Sequence, residues 1–180
     1  MTVLYLISKL VTFPAVMVRA FYEHILLKLL RIPVEKASYL QFNEMFGHTE
    51  HDLTKTLSAS VWFCCIPGLL QVLLAVPMMA ASFLQLYVLS VTPTDPQTGS
   101  VSIMFAVCII LRVFGIWLLC NVFPLYEDAL NLWEKATQAN GFAKVVALPI
   151  AAIVRAGAFL ERFGITLLLL VAETCLLFFL

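Results

Sequence analysis

The feature that most constrains this chain is a run of 35 residues, from 57 to 91, that contains no charged side chain. About 20 apolar residues are enough to cross a bilayer as a helix, at a rise of about 1.5 Å per residue. Pro67-Gly68 and Pro77 lie inside the run. They predict either a kinked, tilted helix or a short re-entrant piece followed by a span.

Composition extends this constraint to the whole chain. Apolar residues make up 62% of the 180 residues, charged residues 12%, and the mean hydropathy is +0.99. A soluble domain has about 45–50% apolar and about 25% charged residues. Too few polar side chains are present to cover a surface in water, so we expect an integral membrane protein. The formal net charge of zero gives no excess of either sign that would attract a polyanion.

Two further spans are predicted. Residues 101–123 form an apolar stretch interrupted only by Arg112, and residues 163–180 form another that carries Glu173. Between the first two spans, residues 92–100 are rich in Pro, Asp and Gly and predict a loop. The predicted fold is therefore an all-α polytopic membrane helical bundle with three to four transmembrane helices, forming one domain over 1–180.

The remaining segments are assigned from their charge. Residues 1–31 predict a helix that either spans the membrane or lies in its interface, and residues 32–56 predict a loop. Within the segment 124–162, residues 142–162 are apolar but interrupted, which predicts an interfacial helix or the first half of a long kinked one. Six Lys and Arg residues lie in 1–58, four in 124–162 and none in 92–100. The positive-inside rule then places 32–58 and 124–162 in the cytoplasm of a multi-pass protein of the inner or plasma membrane.

Polar side chains are scarce, and they cluster. The clusters are Glu23-His24, a loop group from residue 43 to 52, and Glu127-Asp128, and the first two contain all three histidines. Histidine and carboxylate groups can hold zinc, and His48 and His51 are three residues apart, a spacing that suits chelation. The alternative interpretation is a solvated loop.

Three of these segments resemble bacterial site-2-protease-like membrane zincins. Phe13-Pro14 followed by AFYEHILLKLLRIPV (20–34) resembles their first helix, in which H-E-x-x-H precedes a G-V-P-V-like turn. GHTEHD (47–52) resembles their G-Y-V-x-H-E strip, and NVFPLYEDALNLW (121–133) resembles their H-A-F-P-S-x-x-D-A segment. The resemblance implies a membrane zincin architecture and a zinc site.

The departures from the motif argue against catalysis. Aligning His24 with the second motif histidine places Ala20 at the first histidine and Phe21 at the catalytic glutamate. A zinc hydrolase needs about three protein ligands, an open position for water and a carboxylate base. Glu23 lies about 200° around the helix from Phe21 and is expected to point away from the site. We therefore predict no catalytic residues.

The resemblance still allows one set of ligands for a structural zinc, although Asn121 replaces a further histidine of the motif. His24, His51 and Asp128 match family positions, and His48 or Glu44 would be the fourth ligand of a structural zinc, the one cofactor considered. The alternative is a buried hydrogen-bonded network without metal. Within the spans, Arg112 and Glu173 predict an intramembrane ion pair, with a proton or ion path as the alternative.

Four functions follow from these observations. The first is a non-catalytic scaffold, a pseudoenzyme that presents its cytoplasmic loop to a protein partner and forms a homodimer. The second is an RNA anchor, since size, span number and loop placement are similar to those of the bacterial membrane proteins that hold the ornate large extremophilic RNA. The others are a zinc protease with unconventional ligands and a small transporter. The predicted partner- or RNA-binding residues are Arg31, Lys36, Tyr39, Phe42, Phe46, Lys55 and Lys144.

Overall fold

The computed structural model describes residues 3–36, 48–94, 100, 102–166, 168, 171–172 and 175. Most of them lie in helices, which confirms the prediction of a mainly helical chain. A short antiparallel ladder that was not predicted pairs Val34 with His51. In chain order the elements are α1 (Val3–Val11), α2 (Phe13–Leu29), β1 (Val34–Lys36), β2 (Glu50–His51), α3 (Leu57–Phe83), α4 (Ile103–Leu119), α5 (Tyr126–Gln138) and α6 (Gly141–Arg162).

Two helical segments within the described residues are long and apolar enough to cross a membrane. The first is α3 with its π-helical continuation, Leu84–Val88, which together make 32 residues, or about 48 Å at 1.5 Å per residue. The second is α6, whose 22 residues extend for about 33 Å. Both exceed a hydrocarbon core of about 30 Å. The bent pair of α1 and α2 makes a third candidate if it crosses as one unit.

Two helices differ from the predicted spans. Helix α4 has 17 residues, about 26 Å, and is therefore shorter than the predicted span 101–123. Helix α6 lies inside 124–162, the segment assigned to the cytoplasmic side, yet it has the length and composition of a span. Its Arg155 guanidinium lies over the ring of Trp133, 5.1 Å from the centroid. The predicted span 163–180 falls mostly outside the described residues.

Helix α3 runs without a break through Pro67 and Pro77, so the re-entrant alternative is not what forms. Its neighbours hold it along its length. Gln71 Nε2 donates to the Ala15 carbonyl oxygen at 3.1 Å, and Ser82 Oγ donates to the Cys108 carbonyl oxygen at 2.9 Å. In both bonds a polar side chain of an apolar helix donates to a backbone carbonyl oxygen of a neighbouring helix, where no water is available.

Helices α1 and α2 meet at a bend of 90° rather than forming the single helix predicted for 1–31. Thr12 stands at the bend, and its hydroxyl donates to the Ser8 carbonyl oxygen at 2.9 Å. Pro14 lies in the first turn of α2, where its missing N–H costs no hydrogen bond and its fixed φ suits a helix start. Beyond the bend, α1 lies against the end of α6, where Lys9 contacts Glu161.

The apolar core is concentrated at the Leu57 end of α3. Leu27, Phe63 and Leu132 are almost fully buried there, in a cluster formed by α2, α3, α5 and α6. Outward-facing side chains are apolar as well, with Leu73 of α3 72% exposed and Ile103 of α4 81% exposed. Large apolar side chains exposed along helices long enough to span a bilayer are suited to contact lipid rather than water.

Candidate functional site: a buried polar network and a clamped segment

A connected set of polar side chains lies inside this apolar bundle, at the level of the α1–α2 bend. We call it the polar network. No member is more than 5% exposed. Its members are Lys9, Arg19, Glu23, His48, Asn121 and Glu161.

The network joins α1 to the end of α6. The Lys9 ammonium contacts the Glu161 carboxylate as a buried ion pair and donates to Asn121 Oδ1 at 2.8 Å. It also lies over the ring of Tyr5, 5.4 Å from the centroid. A carboxylate, an amide oxygen and an aromatic face thus surround the Lys9 side chain and replace contacts with water.

Asn121 is the junction of the network. Its amide nitrogen Nδ2 donates to Thr12 Oγ1 at 3.0 Å and to the Trp117 carbonyl oxygen at 2.8 Å. Its backbone oxygen accepts from Arg19 Nη1 at 2.6 Å. Helix α4 ends at Leu119, so the bond to Trp117 satisfies one of the carbonyl groups that a helix end leaves without partners. The two nearby cations also favour the negative end of the α4 dipole.

Glu23 closes the inner part of the network. Its carboxylate accepts from Arg19 Nε at 2.9 Å and lies 3.0 Å from His48 Nδ1. Phe21 is 54% exposed, so it does lie opposite Glu23, as the helical spacing predicts. Glu23 therefore lies on the buried face of α2, away from Phe21, where it meets Arg19 and His48.

The second feature is a segment, residues 48–56, that is held to three helices and that we call the clamped segment. His48 is held to α2 by Glu23. The His51 ring packs edge-on against Phe63 of α3, with centroids 4.5 Å apart, and its Nε2 lies 3.6 Å from Asp128 Oδ1 of α5.

Thr54 makes the third attachment. Its hydroxyl contacts the Ser60 hydroxyl of α3 and accepts from Asn131 Nδ2 of α5 at 2.9 Å. The Lys135 ammonium donates to the Thr54 carbonyl oxygen. Thr56 then caps α3, accepting from the Ala59 N–H at 3.3 Å. Attachments therefore recur every two or three residues along the segment.

The electrostatics of His51 follow from this geometry. Its Nδ1 donates to the Asp52 carbonyl oxygen at 2.7 Å, which leaves Nε2 facing Asp128. Burial alone would lower the pKa of His51, but the hydrogen-bonding and charge of the Asp128 carboxylate outweigh it and raise the pKa above its ordinary value of 6.5. The charged form of His51 is therefore favoured in the folded protein.

The predicted zinc ligands are only partly brought together. His51 meets Asp128, whereas His48 meets Glu23, and the half-buried His24 does not complete a group with them. Among the residues that the structure describes, no three His, Cys, Asp or Glu side chains are placed to hold a metal ion. The predicted fourth ligand Glu44 lies outside those residues.

The predicted intramembrane pair cannot be followed to its second member, since Glu173 lies outside the described residues. Arg112 instead contacts Tyr87 of the π-helical segment. Its Nη1 donates to the Tyr87 hydroxyl at 3.2 Å, and the guanidinium lies 5.4 Å from the ring centroid. An aromatic hydroxyl and ring face thus provide part of its surroundings.

Of the predicted partner-binding residues, some are described by the structure and others are not. Arg31, Lys55 and Lys144 are exposed. Lys36 ends β1, but its side chain is not described. The aromatic residues Tyr39, Phe42 and Phe46 lie outside the described residues.

Sequence reasoning missed Lys9, Arg19, Asn121 and Glu161 as members of one site. A usable signal was present, because a charged residue in a membrane segment is rare and has a partner or a role. Arg19 and Glu23 also stand four apart, the spacing of an ion pair on a helix. Comparisons of the chain with protein families, with curated proteins and with solved structures find no match.

Proposed function

We propose that this chain is a non-catalytic integral membrane scaffold that presents the clamped segment to a partner. Its apolar helices form the body in the bilayer, and the predicted orientation puts the Leu57 end of α3 in the cytoplasm. The resemblance to membrane zincins is then one of architecture, with Ala20 and Phe21 at two catalytic positions.

The observation that carries the proposal is the way residues 48–56 are held. His48, His51 and Thr54 point inward and attach the backbone to three helices. Asp52 and Lys55 are exposed between these attachments, and Leu53 is 58% exposed. A partner that binds an already ordered segment loses less conformational entropy than one that must order it. The arrangement therefore suits a binding surface with an apolar side chain between two charges.

The carboxylates around this segment also favour a structural role. Glu23 is engaged by Arg19 and His48, and Asp128 faces His51. A hydrolytic zinc site requires several ligands that converge on one ion and a further carboxylate free to accept a proton. Here each carboxylate faces a different histidine of the segment and joins that histidine to a helix.

RNA is the second candidate partner, favoured by one observation. The exposed cations Arg31, Lys55 and Lys144 belong to the ends of α2, α3 and α6, and these ends pack into the same core cluster. Phosphate contacts with such cations supply most nucleic-acid affinity. However, Glu35 and Asp52 are exposed near them, and their negative charges weaken that attraction. We therefore favour a protein over RNA as the partner.

Photo-crosslinking in the native host tests the proposal. A photoreactive amino acid replaces Leu53 in the full chain, and in a matched control it replaces Leu73, which is equally apolar and 72% exposed on α3. We expect a discrete adduct from position 53 and only lipid adducts from position 73. Adding Asp128→Asn should remove most of the adduct at an unchanged protein level, because one attachment of the segment is then weakened. Digestion with ribonuclease or protease identifies the class of partner.

The proposal fails if position 53 gives no adduct, or if Asp128→Asn leaves the adduct unchanged. Metal analysis of the protein purified in mild detergent is a second test. A content of about one zinc per chain that is lost in His51→Ala would contradict the proposal and restore the hydrolase interpretation. A matched Lys144→Ala variant controls for handling during purification, since Lys144 is exposed and is not a predicted ligand.

A further inference from the structure

A cavity of about 260 Å³ lies between α1, the start of α5 and the end of α6, and His48 lines it. An apolar cavity of about 150 Å³ is enough to hold benzene, so this one has room for a ring with a short substituent. Its walls are mainly apolar or aromatic. The described side chains that give them this character are Tyr5, Pro124, Leu125, Tyr126, Leu130 and Ala158.

His48 supplies the polar group that faces this cavity. The residue is only 4% exposed, and its Nδ1 lies 3.0 Å from Glu23 Oε1. The other ring nitrogen, Nε2, has no hydrogen-bond partner among the described residues, yet it is not enclosed, in contrast to the second carboxylate oxygen of Glu161. Because His48 forms part of the cavity wall, Nε2 is available to a molecule inside.

The contact with Glu23 determines which hydrogen-bonding role Nε2 has. A carboxylate only accepts, so Nδ1 carries the hydrogen that is donated to Glu23. Arg19 already balances the charge of Glu23, so a neutral His48 leaves the three side chains without excess charge. In a neutral ring with its hydrogen on Nδ1, Nε2 is an acceptor. The cavity therefore favours a ligand that donates a hydrogen bond.

Charged ligands fit this arrangement poorly. Lys9 and Glu161 pair with each other beside the cavity, and Glu127 and Arg162, the exposed charges that line it, have opposite signs. A charged ligand would bring unbalanced charge between mainly apolar walls. A metal ion would need further ligands, and in the described part of the chain no three His, Cys, Asp or Glu side chains are placed to hold one.

A phenol is the neutral donor that matches the cavity best. Its single O–H satisfies Nε2, and the rest of the molecule is apolar, like the walls. A phenolic hydroxyl, with an ordinary pKa of about 10, is more acidic than an aliphatic alcohol and is therefore the stronger donor to an imidazole nitrogen. Its ring can also pack against Tyr5 and Tyr126, since aromatic pairs add to the free energy of burial.

We infer that this cavity binds a small phenol, whose hydroxyl donates to His48 Nε2. The inference does not rest on the proposed function, because the cavity uses none of the exposed residues of the clamped segment. The same ring is available from a phenol dissolved in the membrane by a long apolar chain or from one dissolved in water.

Nitrogen NMR of the full chain in mild detergent, with isotope-labelled histidine, tests this inference. The probes are para-ethylphenol and para-ethylanisole, in which a methyl ether replaces the hydroxyl and cannot donate. We expect the phenol to shift the Nε2 resonance of His48 and to leave that of His51, which faces Asp128, unchanged. The anisole should bind at least about tenfold more weakly, or about 1.4 kcal/mol, because Nε2 is then left without a donor.

Affinities are referred to the free probe concentration, so that uptake by detergent does not count as binding. A third probe, para-nonylphenol, distinguishes the two sources. Tighter binding than that of para-ethylphenol would identify a phenol dissolved in the membrane, and equal binding a phenol taken from water. Both results support the site.

Three variants assign the contacts. Leu130→Trp should fill the cavity and weaken binding of the phenol at least about tenfold, because Leu130 lines the cavity and takes no part in the polar network. Leu160→Trp is the matched control, since Leu160 is 47% exposed on α6 and lies outside the cavity wall, and it should leave binding unchanged. His48→Phe should remove the preference for the phenol over the anisole.

If His48→Phe does not fold, Leu130→Trp and the two probes carry the test. Equal binding of para-ethylphenol and para-ethylanisole by the wild type overturns the inference. An unchanged His48 resonance at saturating phenol, or unchanged binding by Leu130→Trp, overturns it as well.

Discussion

The two ends of α3 differ in how they are held. At the Leu57 end, the helix is surrounded by α2, α5 and α6, and the clamped segment attaches there. At the Val88 end, α4 is its main neighbour, and Phe83 and Val88 are more than half exposed. Arg112 and Asp95 are the only charged residues between 57 and 119. One end is thus held by specific polar contacts, while the other is held mainly by apolar packing.

This difference separates two tasks within one helix. Apolar packing against a neighbour and lipid keeps a helix in the membrane, but it specifies little about side-chain direction. Buried ion pairs and hydrogen bonds have strict geometry and are costly to leave incomplete. The chain therefore places its precise contacts where a segment outside the bundle has to be fixed, which is at the Leu57 end.

The largest expected effect comes from breaking the polar network. Glu23→Gln removes the charge that Arg19 and His48 share and leaves Arg19 buried with too few partners. The loss of folding free energy should be on the order of 3–5 kcal/mol. Thermal unfolding in mild detergent measures it. Glu127→Gln on α5 is the matched control, because Glu127 is exposed, and a midpoint for Glu23→Gln close to that of the control would contradict the account.

Two glycines allow the packing near the Leu57 end of α3 to be compared with the packing nearer its Val88 end. A Cβ at Gly68 would collide with the Val122 carbonyl oxygen, which is backbone, whereas a Cβ at Gly115 would first meet the Met79 side chain at 2.7 Å. Overpacking of this kind costs about 1–3 kcal/mol, and a flexible methionine can move aside. Gly68→Ala should therefore lower the thermal midpoint more than Gly115→Ala. The reverse order would mean that the Val88 end is the more tightly specified.

Arg112 tests the Val88 end directly. Arg112→Met keeps most of the side-chain volume and removes the contact with Tyr87. A contact of this type is worth about 0.5–2 kcal/mol, so the midpoint should fall by less than in Glu23→Gln. A loss as large as that of Glu23→Gln would show that both ends depend equally on buried charge.

The smallest expected effect is a pH dependence of the His51 attachment. The pKa of His51 is raised in the folded state by Asp128, so folding favours the protonated form. Its stabilising contribution is complete below the unfolded pKa of about 6.5 and is lost as the pH rises through the higher folded value. Thermal midpoints from pH 5.5 to 8.5 should show an advantage of the wild type over Asp128→Asn that shrinks with rising pH. A constant difference between the two would exclude this linkage.

Much of the fold could be predicted because it depends on local pattern. The charge-free run at 57–91 corresponds to the long helix α3 and its continuation, since a long apolar stretch near lipid has few alternatives to a helix. The bend at Thr12 was not predicted, because the apolar period continues through it and the cause lies in contacts with α6 and Asn121.

The candidate site was predictable only in part. The resemblance named His51 and Asp128 together, and the structure places them 3.6 Å apart. Lys9 and Glu161 are 152 positions apart in the chain, and no spacing rule for a single sequence connects such residues. Asn121 was noted only as the replacement of a histidine, although its amide and backbone together join three helices.

Hydrogen exchange tests the central claim, that residues 48–56 are held rigidly by buried attachments. The full chain in nanodiscs would be followed by mass spectrometry over peptides covering 48–56 and, as the comparison region, 89–94. The account predicts that amides in 48–56 exchange at least about tenfold more slowly than those in 89–94, and that Asp128→Asn speeds exchange in 48–56 alone. Equal exchange in the two regions, or no response to Asp128→Asn, would contradict it.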